Sequence, residues 1–174
     1  MVRAIMHGCN GHMGQVITGL IKADEGIELV AGIDKYTGIA NDYPVFESLE
    51  KCDVEADVII DFSNAAAADA LLTYCEEKKM PVVLCTTGLS EEQLAKIPEA
   101  AKKTAVLKSA NMSLGINLLM KLLKEATKVL APAGYDMEIV EKHHNQKLDA
   151  PSGTAIALAD SMNEAMDEAY HYVY

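Results

Sequence analysis

The sequence predicts an α/β fold: a doubly wound parallel sheet followed by the start of a smaller α+β unit. Three observations carry this expectation. Short apolar runs alternate with longer runs of helical period, the order that repeated β-α-β units produce. The first apolar run leads straight into a glycine turn, Gly8-Cys9-Asn10-Gly11-His12-Met13-Gly14. The second ends at Asp34, 20 residues beyond Gly14, where an acidic residue commonly meets the adenosine ribose of a dinucleotide. A strand, a glycine turn, a helix and a strand ending in a carboxylate together describe a Rossmann-type sheet.

The elements follow in order. Residues 2–6 read as a first strand and 13–23 as a helix, with Val16, Ile17, Leu20 and Ile21 on one face. Residues 27–33 form a second strand. A third spans 58–62, bounded by Asp57 and Asp61. The Ala-rich stretch 65–78 is helical, with Asn64 or Ser63 as its cap. Pro81 introduces a strand at 82–85. Ser90-Glu91-Glu92-Gln93 is a capping-box pattern opening a helix over 91–102. Residues 105–108 form a fifth strand, and the apolar-periodic run 116–130 a long helix stopped by Pro132 and Gly134. Beyond Gly134 the pattern shifts to one strand, 137–142, and one helix, 152–168. These are too few elements for a self-sufficient domain. The expected division is therefore a dinucleotide-binding domain over residues 1–130 and part of a substrate-binding, oligomer-forming domain over 131–174.

Composition narrows the function. Half of the 174 residues are hydrophobic, with no Trp and two Phe, so the core must come from Val, Ile, Leu, Ala and Met. A formal net charge of −11 argues against nucleic acid as a partner, since phosphate contacts need clustered Lys and Arg. Cys9, Cys52, Cys75 and Cys85 are scattered, with no CxxC pair, which fits reduced thiols better than a disulfide framework or a zinc site. The N-terminus enters a strand pattern directly, without a signal peptide, and no apolar run approaches the ~20 residues a membrane helix needs. The expected location is the cytoplasm, with no membrane partner and no metal.

The glycine turn suits a pyrophosphate. Glycine permits the tight turn and lets the backbone approach the phosphates, while the helix N-terminus offers free N–H groups and a positive dipole. The spacing is GxxGxxG rather than the commoner GxGxxG. Gly8, Cys9, Asn10, Gly11, His12 and Met13 are the candidate phosphate contacts. His12 serves equally well as an ordinary surface residue. Asp34 favours NADH, while Lys35 could pair with a 2′-phosphate and keeps NADPH open. Two further loops follow strands, where cofactor contacts are expected: Cys85-Thr86-Thr87-Gly88, and Ser109-Ala110-Asn111-Met112-Ser113. Turn and capping chemistry is their plainer reading.

The segment Glu141-Lys142-His143-His144-Asn145-Gln146-Lys147-Leu148-Asp149-Ala150-Pro151-Ser152-Gly153-Thr154-Ala155 brings a proton donor and an anion site together. Histidine donates a proton near neutral pH. Adjacent histidines on an extended segment point to opposite sides, so His143 and His144 take different roles. Lys147 is a nearby cation, and Ser152, Gly153 and Thr154 at a helix start offer hydroxyls and backbone N–H groups to a carboxylate. Singly, each piece has a structural explanation: Asp149 or Ser152 as a cap, Pro151 as a first-turn proline, a surface His pair. Their spacing together points to a small, multiply anionic substrate that is protonated. No third ligand completes a metal site around the histidines, and no G-x-S-x-G elbow precedes Ser152.

The 141–155 segment, the 8–14 turn, the Thr-Thr-Gly loop and the Ala-Asn-Met-Ser loop resemble, in order, those of the dihydrodipicolinate reductase family, and the resemblance covers essentially the whole chain. It implies NADH- or NADPH-dependent reduction of a cyclic dicarboxylate in lysine and diaminopimelate biosynthesis. His143 would be the proton donor and Lys147 its cationic partner. His144, Gly153 and Thr154 would hold the substrate, with Ser152 nearby. The residues at 8–13, Asp34, Cys85, Thr86, Thr87, Ser109, Ala110, Asn111 and Met112 would meet the cofactor. Three differences stand out. Family members continue well beyond Tyr174, and the part beyond would carry the rest of the substrate domain and the tetramer interface. His12 and Asp34 replace a frequent Arg and Glu. Cys85 replaces a frequent glycine. The competing expectation is an impaired nucleotide-binding remnant of the family.

Overall fold

The computed structural model describes residues 1–143, 145 and 150–173. The chain divides into two compact units, Met1–Ser109 and Ala110–Tyr174. The first carries a parallel sheet. Its elements are β1 (Val2–His7), α1 (His12–Ile21), β2 (Ile27–Ile33), β3 (Val45–Phe46), β4 (Val58–Asp61), α2 (Ala68–Lys78), β5 (Val82–Leu84), α3 (Glu91–Ala101) and β6 (Val106–Lys108). The strand order is β3-β2-β1-β4-β5-β6, every pair parallel. The chain runs outward from β1 through β2 and β3, then returns to place β4 on the other side of β1. The C-terminal ends of β1 and β4 therefore flank the crevice where ligands bind in open α/β sheets.

Alternation along the strands fills both faces. Ile5 packs with Ile33, Ile59, Leu71, Leu72 and Leu84 on one side of the sheet. Its neighbour Met6 packs with Cys9 and Tyr43 on the other. From Ala4 to His7 both faces of β1 are dry, as a central parallel strand requires. At the opposite end of the sheet, the Arg3 guanidinium grips the Asp57 carboxylate with Nη2 at 2.8 Å and Nε at 3.3 Å, joining β1 to the start of β4.

The sequence-derived elements of this unit return within a few residues, with two differences. The pair Val45–Phe46 was not expected to be a strand; it is two residues long and pairs with Gly32 and Ile33. Neither Ser63 nor Asn64 caps the Ala-rich helix by its side chain. That segment opens as a short 3-10 turn at Ala65–Ala67, and the Ser63 hydroxyl is turned to Asp61 instead. The capping box at Ser90 and Gln93 is present in full. Gln93 also donates from Nε2 to the Ala65 carbonyl (2.8 Å) and to Asp69 (3.0 Å), tying α3 to the start of α2.

The second unit contains α4 (Leu114–Leu130) and α5 (Gly153–Glu164), packed against each other. The sequence reading placed the first of these helices in the dinucleotide domain, with a division after residue 130. In the structure α4 shares its compact unit with α5, and the division falls after Ser109. Leu114, Leu118, Leu122 and Val129 are exposed, so the apolar period of α4 does not translate into one buried stripe. Residues 137–142, expected to be a strand, do not form one among the described residues, and Val140 is largely exposed.

Candidate cofactor and proton-donor sites

In the first unit the site is built on the glycine turn. Gly8 leaves β1 with φ +81°, and a Cβ there would lie 2.6 Å from the Phe62 carbonyl oxygen. A Cβ on Gly14 would lie 2.2 Å from the Gly8 oxygen, because α1 starts directly against the turn. Both positions therefore exclude any side chain. Gly11 is the N-cap of α1 and carries no capping side chain, so the first N–H groups of the helix face outward uncovered. His12 and Met13, at the first helical positions, are exposed. Cys9 is not: its thiol lies in the core with Met6 and Tyr43, and burial, then Asp34, push it up to about 11. The thiol is therefore closed to a ligand.

Asp34 ends β2 and locks the turn. One carboxylate oxygen accepts from the Asn10 amide N–H at 3.0 Å, the other from the Tyr36 N–H at 3.0 Å. A chain of side-chain amides reinforces this clasp. Asn41 donates to the Asn10 side chain (2.8 Å), and Gln15 donates to the Cys9 carbonyl (2.9 Å) and to Asn41 (3.0 Å). Lys35 is exposed beside Asp34. The cradle that a Cβ would fill, the open helix N-terminus and the carboxylate at the end of β2 fit a dinucleotide.

Between β1, β4 and β5 lies a buried carboxylate. Asp61 is fully buried and accepts from the Ser63 hydroxyl at 2.6 Å and the Thr86 hydroxyl at 2.6 Å. The His7 Nδ1 lies 2.8 Å away, bent off straight hydrogen-bond alignment. Burial raises the Asp61 pKa, but the contacts from His7, Ser63 and Thr86 outweigh it and hold the carboxyl below its ordinary value. The Cys85 thiol is buried and pushed up to about 11, first by burial and then by Asp61. Thr87 is exposed, and Gly88 turns the loop with φ +71°. At the end of β6, the Ser109 N–H donates to the Leu84 carbonyl.

In the second unit, Asn111 donates to the Thr154 hydroxyl at 3.1 Å, joining the loop before α4 to the start of α5. Ala110 and Met112 on that loop are exposed. The His143 Nδ1 lies 3.5 Å from Glu141, and the other oxygen of Glu141 accepts from the Ser152 N–H at 2.8 Å. Glu141 thus fixes the histidine segment to the turn before α5. Ser152 is buried and its hydroxyl caps the helix, accepting from the Ala155 N–H at 3.0 Å. Pro151 precedes that cap and so is not in the first turn. Gly153 and Thr154, at the first two helical positions, keep N–H groups for which the helix itself has no acceptor. His144 and Lys147 lie outside the described residues, as does the Asp149 cap alternative. A cleft of about 600 Å³ in this unit is lined mostly by apolar side chains and excludes His143, Gly153 and Thr154.

Sequence reasoning missed the roles of Asp61, Ser63, Asn41, Gln15 and Glu141. Glu141 had a visible signal, since it opens the histidine segment. Asp61 was seen only as a strand boundary. Nothing local marks Asn41, whose partner Asn10 lies 31 positions away. Among the described residues no cluster of His, Cys, Asp and Glu could hold a metal. No helix there is long and apolar enough to cross a membrane.

A parallel sheet reversing at β1 and β4, a glycine cradle under a helix N-terminus and a carboxylate at the end of β2 define a dinucleotide-binding α/β protein. Residues 2–112 match the family model "Dihydrodipicolinate reductase, N-terminus", and residues 115–172 match "Dihydrodipicolinate reductase, C-terminus". The chain belongs to the dihydrodipicolinate reductase family. It is 52% identical over 174 residues to the 4-hydroxy-tetrahydrodipicolinate reductase of Caldanaerobacter subterraneus subsp. tengcongensis, and 49% identical to that of Clostridium tetani. Each match spans all of this chain and 68% of the relative. Among solved structures it is similar to a dipicolinate-bound dihydrodipicolinate reductase from Paenisporosarcina sp. TG-14, with TM-score 0.77 and 30% identity over 100% of this chain and 69% of that one. The WlbA dehydrogenase from Bordetella pertussis, at TM-score 0.57 and 19% identity over 72% of this chain and 39% of that one, shares the fold alone.

Proposed function

We propose that this chain reduces 4-hydroxy-tetrahydrodipicolinate to tetrahydrodipicolinate with a nicotinamide dinucleotide, in lysine and diaminopimelate biosynthesis. The observation that carries the reading is the Glu141 bridge between His143 and the Ser152-Gly153-Thr154 helix start, which holds a titratable ring and an anion-binding turn on one short segment. The cofactor supplies the hydride. The residues at 8–13 hold its pyrophosphate and Asp34 its adenosine ribose, while Thr86, Thr87 and the loop at 109–112 attend its nicotinamide end. His143 donates a proton to the charge that develops in the reduced ring. Lys147 supports it as a cation, and His144, Gly153 and Thr154 bind the substrate carboxylates. Ser152 contributes by holding that turn, its N–H on Glu141 and its hydroxyl capping the helix. NADH is the favoured cofactor, because Asp34 would repel a 2′-phosphate; exposed Lys35 keeps NADPH usable. The setting is the cytoplasm, and a homotetramer is the family's expected assembly.

The test is oxidation of NADH and NADPH by the 174-residue chain, with the substrate generated in situ by its synthase. Turnover above the enzyme-free rate is the expected result. Dinucleotide binding with no turnover would instead support the impaired-remnant reading.

A further inference from the structure

The buried Asp61 carries an inference that rests on the dinucleotide reading and deepens it. An ionised carboxylate only accepts hydrogen bonds. The Ser63 and Thr86 hydroxyls, each 2.6 Å from an Asp61 oxygen, must therefore both donate to it. Each hydroxyl has one proton, and both are spent on Asp61. The two hydroxyl oxygens lie 3.4 Å from each other, and no proton remains to place between them. They present lone pairs only. We infer that Asp61 is a positioning residue that makes Ser63 and Thr86 a paired acceptor at the ends of β4 and β5, receiving one hydrogen-bond donor from the nicotinamide half of the cofactor, its carboxamide N–H or its ribose O–H.

Several features of the site support this. Asp61 is fully buried and its pKa is held low, so the carboxylate stays ionised and the direction of both hydrogen bonds is fixed. His7 adds a third contact from β1, so the hub gathers the three strand ends that border the crevice. Ser63 directly follows Phe62, whose carbonyl oxygen excludes a side chain at Gly8, so the pair adjoins the phosphate turn. An acceptor pair discriminates sharply, because a site built for a donor leaves buried groups unmatched when the donor is missing.

Binding is measured by dihydronicotinamide fluorescence on the full chain and on Thr86→Val, Thr86→Ser, Ser63→Ala and Asp61→Asn, with thermal melting to establish folding. ADP, which lacks the nicotinamide half, is the control ligand. Thr86→Val is expected to weaken NADH about tenfold, the loss of one buried hydrogen bond, with ADP unchanged and Thr86→Ser within about twofold of the parent. Asp61→Asn should match Thr86→Val, since its amide donates to one hydroxyl and reverses that hydroxyl's polarity. If Asp61→Asn melts early, Ser63→Ala supplies the second reading of the acceptor pair. The 3-acetylpyridine analogue of NADH, which keeps the carbonyl but has a methyl in place of the carboxamide NH2, identifies the donor. Weaker binding of the analogue by the parent alone assigns the carboxamide, and an equal loss from Thr86→Val with both ligands assigns the ribose. Folded Thr86→Val and Ser63→Ala that bind NADH like the parent would overturn the acceptor pair alone. A parent that binds neither NADH nor NADPH would overturn the dinucleotide reading and the pair with it.

Discussion

At Gly14 a single methyl group decides whether the turn can form. Its Cβ would stand 2.2 Å from a backbone oxygen that cannot move without breaking the turn. Gly14→Ala should therefore abolish NADH binding and destabilise the fold by at least the ~1–3 kcal/mol of an overpacked core. Gly11→Ala, whose Cβ would sit 3.3 Å from its nearest neighbour, should remain folded, and melting curves of the two variants separate the cases. His143→Ala should lower kcat by about 10²-fold or more if the ring is the general acid, while NADH affinity holds; equal rates in variant and parent would remove His143 from the mechanism. Gln93→Glu looks conservative, since glutamate also completes a capping box. It has no donor for the Ala65 carbonyl and sets a second negative charge beside Asp69, so a lower melting temperature is expected despite the retained cap.

Among the elements, the Arg3–Asp57 clasp gives β1 and β4 a pH-sensitive fastener. Its hydrogen bonds with Arg3, through side chain and backbone, lower the Asp57 carboxyl to about 2. A depressed carboxyl stabilises the fold fully above its unfolded pKa of about 3.9 and loses that contribution as the pH falls toward 2. Asp57→Asn should therefore flatten the acid limb of a stability-versus-pH curve between those values and leave its slope near neutrality unchanged. The long periodic segments and the glycine turn were legible in the sequence because they are encoded locally: residues 27–33 were read to the residue, and the Ser90 box opened its helix where expected. Val45–Phe46 was not, since two residues carry no period and their pairing is set by β2. Residues 137–142 have a strand's composition, but composition cannot supply a neighbouring strand. At the candidate site, the glycine turn and the histidine segment announced themselves. The Asp61 hub did not, because Thr86 lies 25 positions further along the chain and only the sheet brings it to Asp61.

For the molecule as a whole, the thiols report how tightly the first unit is closed. Cys9 and Cys75 are fully buried and Cys85 nearly so, and burial holds their pKa values at about 11, 12 and 11. Thiolate is the reactive form. At pH 8 a thiol reagent should modify Cys52 first, with the other three reacting only at the rate of unfolding; rapid modification of all four would contradict the burial described here. The division after Ser109 has a further consequence. Every strand of the sheet, the glycine cradle and the Asp61 hub belong to one uninterrupted stretch of chain that needs nothing downstream to complete its pairing. During synthesis at about 5–20 residues per second, that stretch is made before the second unit begins. The first unit can thus fold as a nascent chain, and cellular dinucleotide is available to stabilise it before the second unit is complete.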